Sequence, residues 1–125
     1  MNRTGLAIVV LAAACDTGGG SNGPDASVDA PPPPVVALDS CPAVVAATVM
    51  DSPTMFIPKS TTIPAREVVK FVITAEHLVL PNSLVTTDPA LTVRRGETKC
   101  FRFNTPGTYG FLCGVHSFTG TITVQ

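Results

Sequence analysis

Residues 106 to 124, Pro-Gly-Thr-Tyr-Gly-Phe-Leu-Cys-Gly-Val-His-Ser-Phe-Thr-Gly-Thr-Ile-Thr-Val, indicate the fold class of this protein. From residue 118 to 124, apolar residues or glycine alternate with threonine, which is the period of a half-buried strand. Residues 108 to 112 are also rich in strand formers. Between these two runs, Cys113 and His116 place a thiol and an imidazole in what we predict to be a loop.

Further β-rich runs precede this stretch and predict an all-β domain. They lie at residues 44 to 50, 67 to 73, 91 to 95 and 97 to 103. Prolines separate the runs as turns would. No window of about eleven residues keeps a helical period without a proline or a β-branched cluster, so we predict a β-sandwich over residues 41 to 125.

Residues 1 to 14 are typical of a signal peptide. Arg3 precedes an apolar run that is too short to span a bilayer. Small residues stand directly before Cys15, a pattern that resembles a bacterial lipobox and implies cleavage before Cys15 and a lipid on its sulfur. An ordinary secretory peptide cut near Ala14 fits the same residues. Both interpretations predict that the mature protein leaves the cytoplasm. The first places it in the bacterial cell envelope, on the periplasmic or extracellular side, with the lipid as its only membrane anchor.

Residues 15 to 40 are predicted to be a flexible linker. They contain four glycines, five prolines and four aspartates without lysine or arginine, and they show no apolar period. The predicted domain that follows carries seven basic and five acidic residues, a net charge of +2. This charge is too small to favour nucleic acid as a partner, and no basic run alternates with aromatic residues.

Cysteine usage suggests one disulfide and one free thiol. If Cys15 carries lipid, Cys41, Cys100 and Cys113 remain for an oxidising compartment. The simplest pairing joins Cys41 to Cys100 and leaves Cys113 free. Three cysteines allow three pairings, so the other two stay open.

The free thiol and the two histidines of the chain form a candidate metal-binding set. A thiolate with two imidazoles, Cys113 with His77 and His116, suits copper, because the soft sulfur favours Cu(I) and imidazole serves both oxidation states. Zinc is less favoured, since the chain offers no further pair to complete a tetrahedral site. His77 alone could be a buried core histidine. A Cys-His hydrolase would need an oxyanion hole and an orienting group, which the sequence does not signal.

Several motifs resemble those of small cupredoxins of the plastocyanin and amicyanin kind. Phe56-Ile57-Pro58 resembles the family's Phe-x-Pro, and Val69-Lys70-Phe71 its strand leading to the first histidine, here His77. Residues 106 to 116 match Pro-Gly-Thr-Tyr-x-x-x-Cys-x-x-His without a gap. The resemblance spans residues 44 to 125. It implies a Greek-key β-sandwich, a type 1 copper site with His77, Cys113 and His116, and one-electron transfer between partner proteins by a monomer that is not an enzyme.

Two positions depart from the family pattern. Thr119 stands where a methionine would supply the weak axial sulfur, and the three equatorial donors carry most of the bonding. We therefore expect copper to bind either in a three-coordinate site or with the Thr119 hydroxyl or the Glu76 carbonyl as an oxygen cap, at a potential above that of methionine-ligated relatives. Leu78 stands where relatives commonly carry a polar residue that braces the copper loop, which leaves that brace missing.

Two classes of function follow from these residues. In the first, the domain shuttles single electrons. The resemblance implies that it docks its partner through apolar residues around His116, which are Leu78, Leu80, Pro81, Val115 and Phe118. In the second, it is a non-redox copper-binding or copper-delivery module, or a metal-free β-sandwich that binds another molecule.

Overall fold

The computed structural model describes residues 31 to 125, which form two β-sheets and no α-helix. The nine strands are β1 (Val35–Ala37), β2 (Ala47–Asp51), β3 (Phe56–Ile57), β4 (Ser60–Ile63), β5 (Glu67–Val72), β6 (Val79–Pro81), β7 (Thr98–Phe103), β8 (Gly107–Cys113) and β9 (Thr119–Val124). The predicted all-β sandwich is confirmed. This part of the chain holds no helix that is long and apolar enough to cross a membrane. The predicted signal peptide, the predicted lipidation of Cys15 and most of the predicted linker lie outside the described residues.

The two sheets are mixed, and their order places strands from distant parts of the chain side by side. The first sheet has the order β1-β7-β5-β2-β3, and the second has the order β4-β9-β8-β6. Parallel pairs join β2 to β5 and β4 to β9, and the other neighbours are antiparallel. The chain moves repeatedly from one sheet to the other, as in a Greek-key sandwich.

Aromatic side chains from both sheets fill the space between them. Phe71 packs edge-on against Phe101 in its own sheet at 5.6 Å between ring centroids, and against Phe111 of the second sheet at 5.2 Å with an interplanar angle of 83°. Such edge-to-face contacts suit the charge distribution of aromatic rings. Alternate residues of β9 are buried, as the period in residues 118 to 124 predicts. The sheets therefore pack through one continuous apolar core.

The folded domain begins earlier than predicted. Val35–Ala37, which we assigned to the linker ending at residue 40, pairs with β7, and Val35 is buried. The Asn104 amide also donates a hydrogen bond to the Pro33 carbonyl at 3.0 Å. The composition of this segment is that of a linker, but a free sheet edge supplies partners for its backbone.

Cys41 forms a disulfide with Cys100, and Cys113 is the free cysteine of the described residues, as the favoured pairing predicts. The predicted strand at residues 91 to 95 forms only an isolated bridge between Val93 and Val79. The predicted run at residues 44 to 50 becomes strand only from Ala47.

Candidate metal centre

The hairpin that joins β8 to β9 brings Cys113 and His116 together. Cys113 is the last residue of β8, and its N–H donates a hydrogen bond to the Phe118 carbonyl at 2.9 Å. The Ser117 N–H donates to the Cys113 carbonyl, also at 2.9 Å, so the loop closes as one tight turn. Ser117 adopts a positive φ of 68° at this turn. As a result, Cys113 Sγ lies 3.9 Å from His116 Nδ1.

The two side chains of this loop differ in burial. Cys113 is fully buried, whereas His116 is exposed. A buried sulfur and an exposed imidazole edge therefore lie next to each other at one end of the sandwich.

Sheet pairing brings His77 to the same end. Val79, the first residue of β6, pairs with Cys113, and His77 precedes it by two residues. The His77 side chain is buried, with 3% of its surface exposed. Its ring centroid lies 4.9 Å from that of His116, with an interplanar angle of 72°. Cys113, His116 and His77 thus form one cluster.

The Nδ1 atom of His77 contacts the carboxylate of Asp51 at a distance of 2.5 Å. Asp51 is the last residue of β2, and its side chain is only 1% exposed. The Thr74 N–H donates to Oδ1 at 3.0 Å and the Thr74 hydroxyl donates to Oδ2 at 2.6 Å. Desolvation raises the pKa of Asp51, but the hydrogen bonds from Thr74 and His77 outweigh it, and the pKa lies below its ordinary value.

Phe118 supports both imidazoles from the core side. Its ring centroid lies 5.2 Å from that of His77 and 6.0 Å from that of His116, and it is nearly parallel to the His116 ring. Phe56, which is fully buried in the first sheet, packs edge-on against Phe118 at 4.8 Å and Phe111 at 4.9 Å. Phe56, Phe111 and Phe118 therefore form an aromatic layer beneath the cluster, and this layer joins the two sheets.

No family model and no curated protein matches this sequence. Solved structures do match. Amicyanin from Paracoccus versutus is 17% identical, with a TM-score of 0.56, and the match covers 74% of this chain and 98% of that one. The Cu(I) form of an amicyanin variant is 18% identical, with a TM-score of 0.60, and the match covers 74% of this chain and 100% of that one. The fold is cupredoxin-like.

A copper-containing nitrite reductase from Thermus scotoductus matches the cupredoxin-like domain as well. It is 25% identical, with a TM-score of 0.54, and the match covers 72% of this chain but only 25% of the reductase. The same fold therefore makes up nearly the whole of amicyanin and only part of a larger copper enzyme.

The spacing of Cys113 and His116 fits a shared metal ion in this cupredoxin-like domain. Two donors bound to one ion at about 2.0 to 2.3 Å each lie roughly 3 to 4.5 Å apart, and the observed 3.9 Å falls in that range. His77 Nδ1 faces Asp51 instead, and no group of three or more metal-binding side chains within residues 31 to 125 surrounds a common point. The structure thus gathers the three residues, and metal binding by them stays a prediction.

The two predicted fourth donors are less closely tied to this cluster. Thr119 begins β9, and its Cα pairs with that of Leu112. None of the hydrogen bonds among residues 31 to 125 joins Thr119 to Cys113, His77 or His116. Glu76 is exposed next to His77. A role for Thr119 or for the Glu76 carbonyl stays a prediction.

Part of the predicted apolar face surrounds the loop. Val115 is 47% exposed, while Leu78, Leu80 and Phe118 are half-buried. A Cβ atom on Gly114 would meet Leu80 Cδ1 at 2.7 Å and Leu78 Cδ2 at 3.6 Å, so both leucines lie against the turn between Cys113 and His116.

Asp51 is the residue of this centre that the sequence did not reveal. It stands 26 positions before His77, directly after the β-rich run at residues 44 to 50, and no local motif marks it. The available signal was the acidic residue at the end of a β-rich run, which is a common turn position.

Proposed function

We propose that this protein is a copper-binding electron carrier, with one copper ion held by Cys113, His116 and His77. The observation that carries the proposal is the 3.9 Å approach of Cys113 Sγ to His116 Nδ1 in the hairpin loop of a cupredoxin-like sandwich. The His77 ring, 4.9 Å from the His116 ring between centroids, supplies the third donor. A thiolate with two imidazoles is the donor set that suits copper electron-transfer sites.

Each residue has a separate task in this proposal. When bound, copper supplies a couple that exchanges one electron. Cys113 provides the soft sulfur from inside the sandwich, where water is excluded. His116 provides a nitrogen donor at the surface, and its exposed edge offers the shortest route to a partner. His77 provides a donor held within the core. The closely packed sheets keep the positions of these groups fixed when the charge of the site changes.

The proposal includes a weak fourth donor and a docking face. The Thr119 hydroxyl or the Glu76 carbonyl would complete the site in place of a methionine sulfur. The apolar residues around His116, led by the exposed Val115, would receive a redox partner protein. We further propose that the protein is a monomer of the bacterial cell envelope, anchored to a membrane by a lipid on Cys15.

The test is to add Cu(II) to the purified protein and to its Cys113→Ser variant and to record visible spectra. We expect an intense blue charge-transfer band in the first and none in the second, because serine oxygen cannot replace the thiolate as a soft donor. Val115→Ala is the control, since it changes the same loop at an exposed position without removing a donor atom. It should keep the band.

Other results would favour the alternatives or end the proposal. Copper binding without a stable, reversible potential, with ready loss of Cu(I) to a chelator, would favour a copper-delivery module. A colourless protein that binds no copper would leave a metal-free binding domain. A blue band that survives Cys113→Ser would remove Cys113 from the site.

A further inference from the structure

The hairpin formed by β2 and β3 carries two exposed methionines. Apart from Met1, Met50 and Met55 are the only methionines of the chain. Met50 is 51% exposed and Met55 is 42% exposed, although methionine is among the residues most often buried in protein interiors. The hydrophobic core within residues 31 to 125 contains no methionine. Both thioether sulfurs therefore lie where a ligand from solution reaches them.

The strand register places both methionines on the same face of the hairpin. Met50 pairs with Ile57, and Asp51 pairs with Phe56. Phe56 is fully buried and the Asp51 side chain is 1% exposed, so this second pair points into the domain. Neighbouring positions of a strand alternate between the two faces of a sheet. Met50, Ile57 and Met55 therefore point together towards solvent.

Ser52 holds Met55 in this position by closing the hairpin. The Ser52 N–H donates to the Met55 carbonyl at 2.8 Å, and the Met55 N–H donates to Ser52 Oγ at 3.2 Å. The Ser52 hydroxyl also donates to the Met55 carbonyl, at 3.0 Å. Ser52 thus faces Met55 across the hairpin, which makes Met50 and Met55 diagonal neighbours. The side chains of such neighbours start roughly 7 to 8 Å apart or less, within reach of long side chains.

The chemistry of this face suits a soft metal ion. Two sulfurs bound to one ion at about 2.3 Å each lie no more than about 4.6 Å apart, and the unbranched methionine side chain has three rotatable bonds with which to close that distance. Thioethers favour Cu(I) among the metals of proteins. The one charged residue between Ala47 and Ile57 is Asp51, and its side chain is buried. The exposed face of the hairpin therefore has no carboxylate to attract a hard cation.

We propose that Met50 and Met55 form a second metal site, which binds one Cu(I) or Ag(I) ion through their two sulfurs on the outer face of the β2-β3 hairpin. The site uses none of the three residues of the candidate metal centre, so it goes beyond the proposed function and does not depend on it. It selects its ion by softness, and it therefore takes neither Zn(II) nor Cu(II).

The first test is a titration of the purified protein with Ag(I), a redox-inert stand-in for Cu(I), observed through the ε-methyl NMR signals of methionine. Met50→Leu and Met55→Leu assign the two signals, because each removes a sulfur and keeps an apolar side chain of similar size. We expect both signals to shift together over the same range of Ag(I) concentration. In Met50→Leu the shift of the Met55 signal should be largely lost. Ile57→Leu is the matched control, since it changes the same face without removing a sulfur, and it should respond as the unmodified protein does.

The second test counts the bound ions by native mass spectrometry after addition of excess Ag(I) and removal of the weakly held ions. We expect each methionine variant to hold one silver ion fewer than the unmodified protein. Cys113→Ser should keep the joint shift of the two methyl signals, because Cys113 lies outside the hairpin. Zn(II) at the same concentration should shift neither signal.

The outcomes decide the proposal separately from the proposed function. A Met55 signal that responds equally well in Met50→Leu would show two independent sulfurs and overturn the shared site. An absent response at both methyl groups, or an equal response to Zn(II), would also overturn it and leave only an exposed apolar patch. If the methyl signals shift together in a protein that gives no blue band with Cu(II), the proposed electron carrier fails and the thioether site stands.

Discussion

The two halves of the candidate centre are built differently. Cys113 and His116 stand three positions apart in one hairpin loop, and backbone hydrogen bonds within that loop set their distance. The other half joins Asp51 at the end of β2 to His77, 26 positions later, through a turn that contains Thr74. The first half depends on local chain geometry, whereas the second depends on the pairing of β2 with β5.

Phe118 and Phe56 connect these halves. Phe118 follows the hairpin loop and contacts both histidine rings, and Phe56 reaches it from the first sheet. Because protein interiors are closely packed, a substitution in this aromatic layer is expected to disturb the side-chain positions in both halves of the centre. The comparison predicts that substitutions in the long-range packing will lower the free energy of unfolding more than substitutions within the hairpin loop.

The largest expected effect is that of Phe56→Ala. Phe56 is fully buried between Phe111 and Phe118, and truncating such a ring removes buried apolar surface and leaves a cavity. We expect the free energy of unfolding to fall by about 3 to 5 kcal/mol. Denaturant unfolding of the metal-free protein measures it.

Ile57→Ala is the matched control for this change. Ile57 is the neighbouring residue of β3, and half of its surface is exposed. Truncating the Ile57 side chain should lower the free energy of unfolding by no more than about 1 kcal/mol. Equal effects of the two substitutions would contradict the role of Phe56 as the link between the sheets.

An intermediate effect is expected from Gly120→Ala. A Cβ atom at this position in β9 would lie 2.4 Å from the buried Phe111 ring and 3.1 Å from the Lys59 carbonyl. The ring cannot move without disturbing the core, so we expect a loss of about 1 to 3 kcal/mol in unfolding free energy, measured by thermal or denaturant unfolding.

Gly114→Ala gives the corresponding change within the hairpin loop. There the new Cβ atom would meet Leu80 Cδ1 at 2.7 Å, which is the end of a flexible, half-buried side chain. We expect a smaller loss than for Gly120→Ala. The reverse order would mean that the hairpin, and not the core beneath it, limits stability.

The smallest expected effect is that of Tyr109→Phe, at the end of the hairpin remote from Cys113. The Tyr109 hydroxyl donates to the Thr105 carbonyl at 2.6 Å, and removing it should cost about 1 kcal/mol. Burial, followed by the charge of Asp88, raises the pKa of Tyr109 above its ordinary value.

This raised pKa predicts a difference in alkaline solution. The unfolded chain loses the tyrosine proton first, near pH 10, so the contribution of neutral Tyr109 is present below that pH and is lost as pH rises further. Unfolding measurements should show a steeper alkaline decline for the unmodified protein than for Tyr109→Phe. Parallel pH profiles would contradict the burial of the ionisable hydroxyl.

The sequence was most informative where structure is local. The alternation in residues 118 to 124 predicted β9, and the predicted run at residues 97 to 103 contains β7. It was least informative for β1, β3 and β4. These strands are short, and they form because neighbouring strands supply partners for their backbone hydrogen bonds. Val35–Ala37 is strand because β7 offers an open edge, and residues 91 to 95 are not a strand although their composition favours one.

By itself, the sequence determined the hairpin with Cys113 and His116. It also determined the alternation of apolar and polar residues that makes the chain a β-sandwich. Both follow from the spacing of residues within short stretches of the chain. Only the tertiary structure decided that Asp51 meets His77. That contact requires two parallel strands to end at one edge of a sheet, and the register of such strands is fixed by packing across the whole core. No local sequence pattern indicates a contact between two residues that are far apart in the chain.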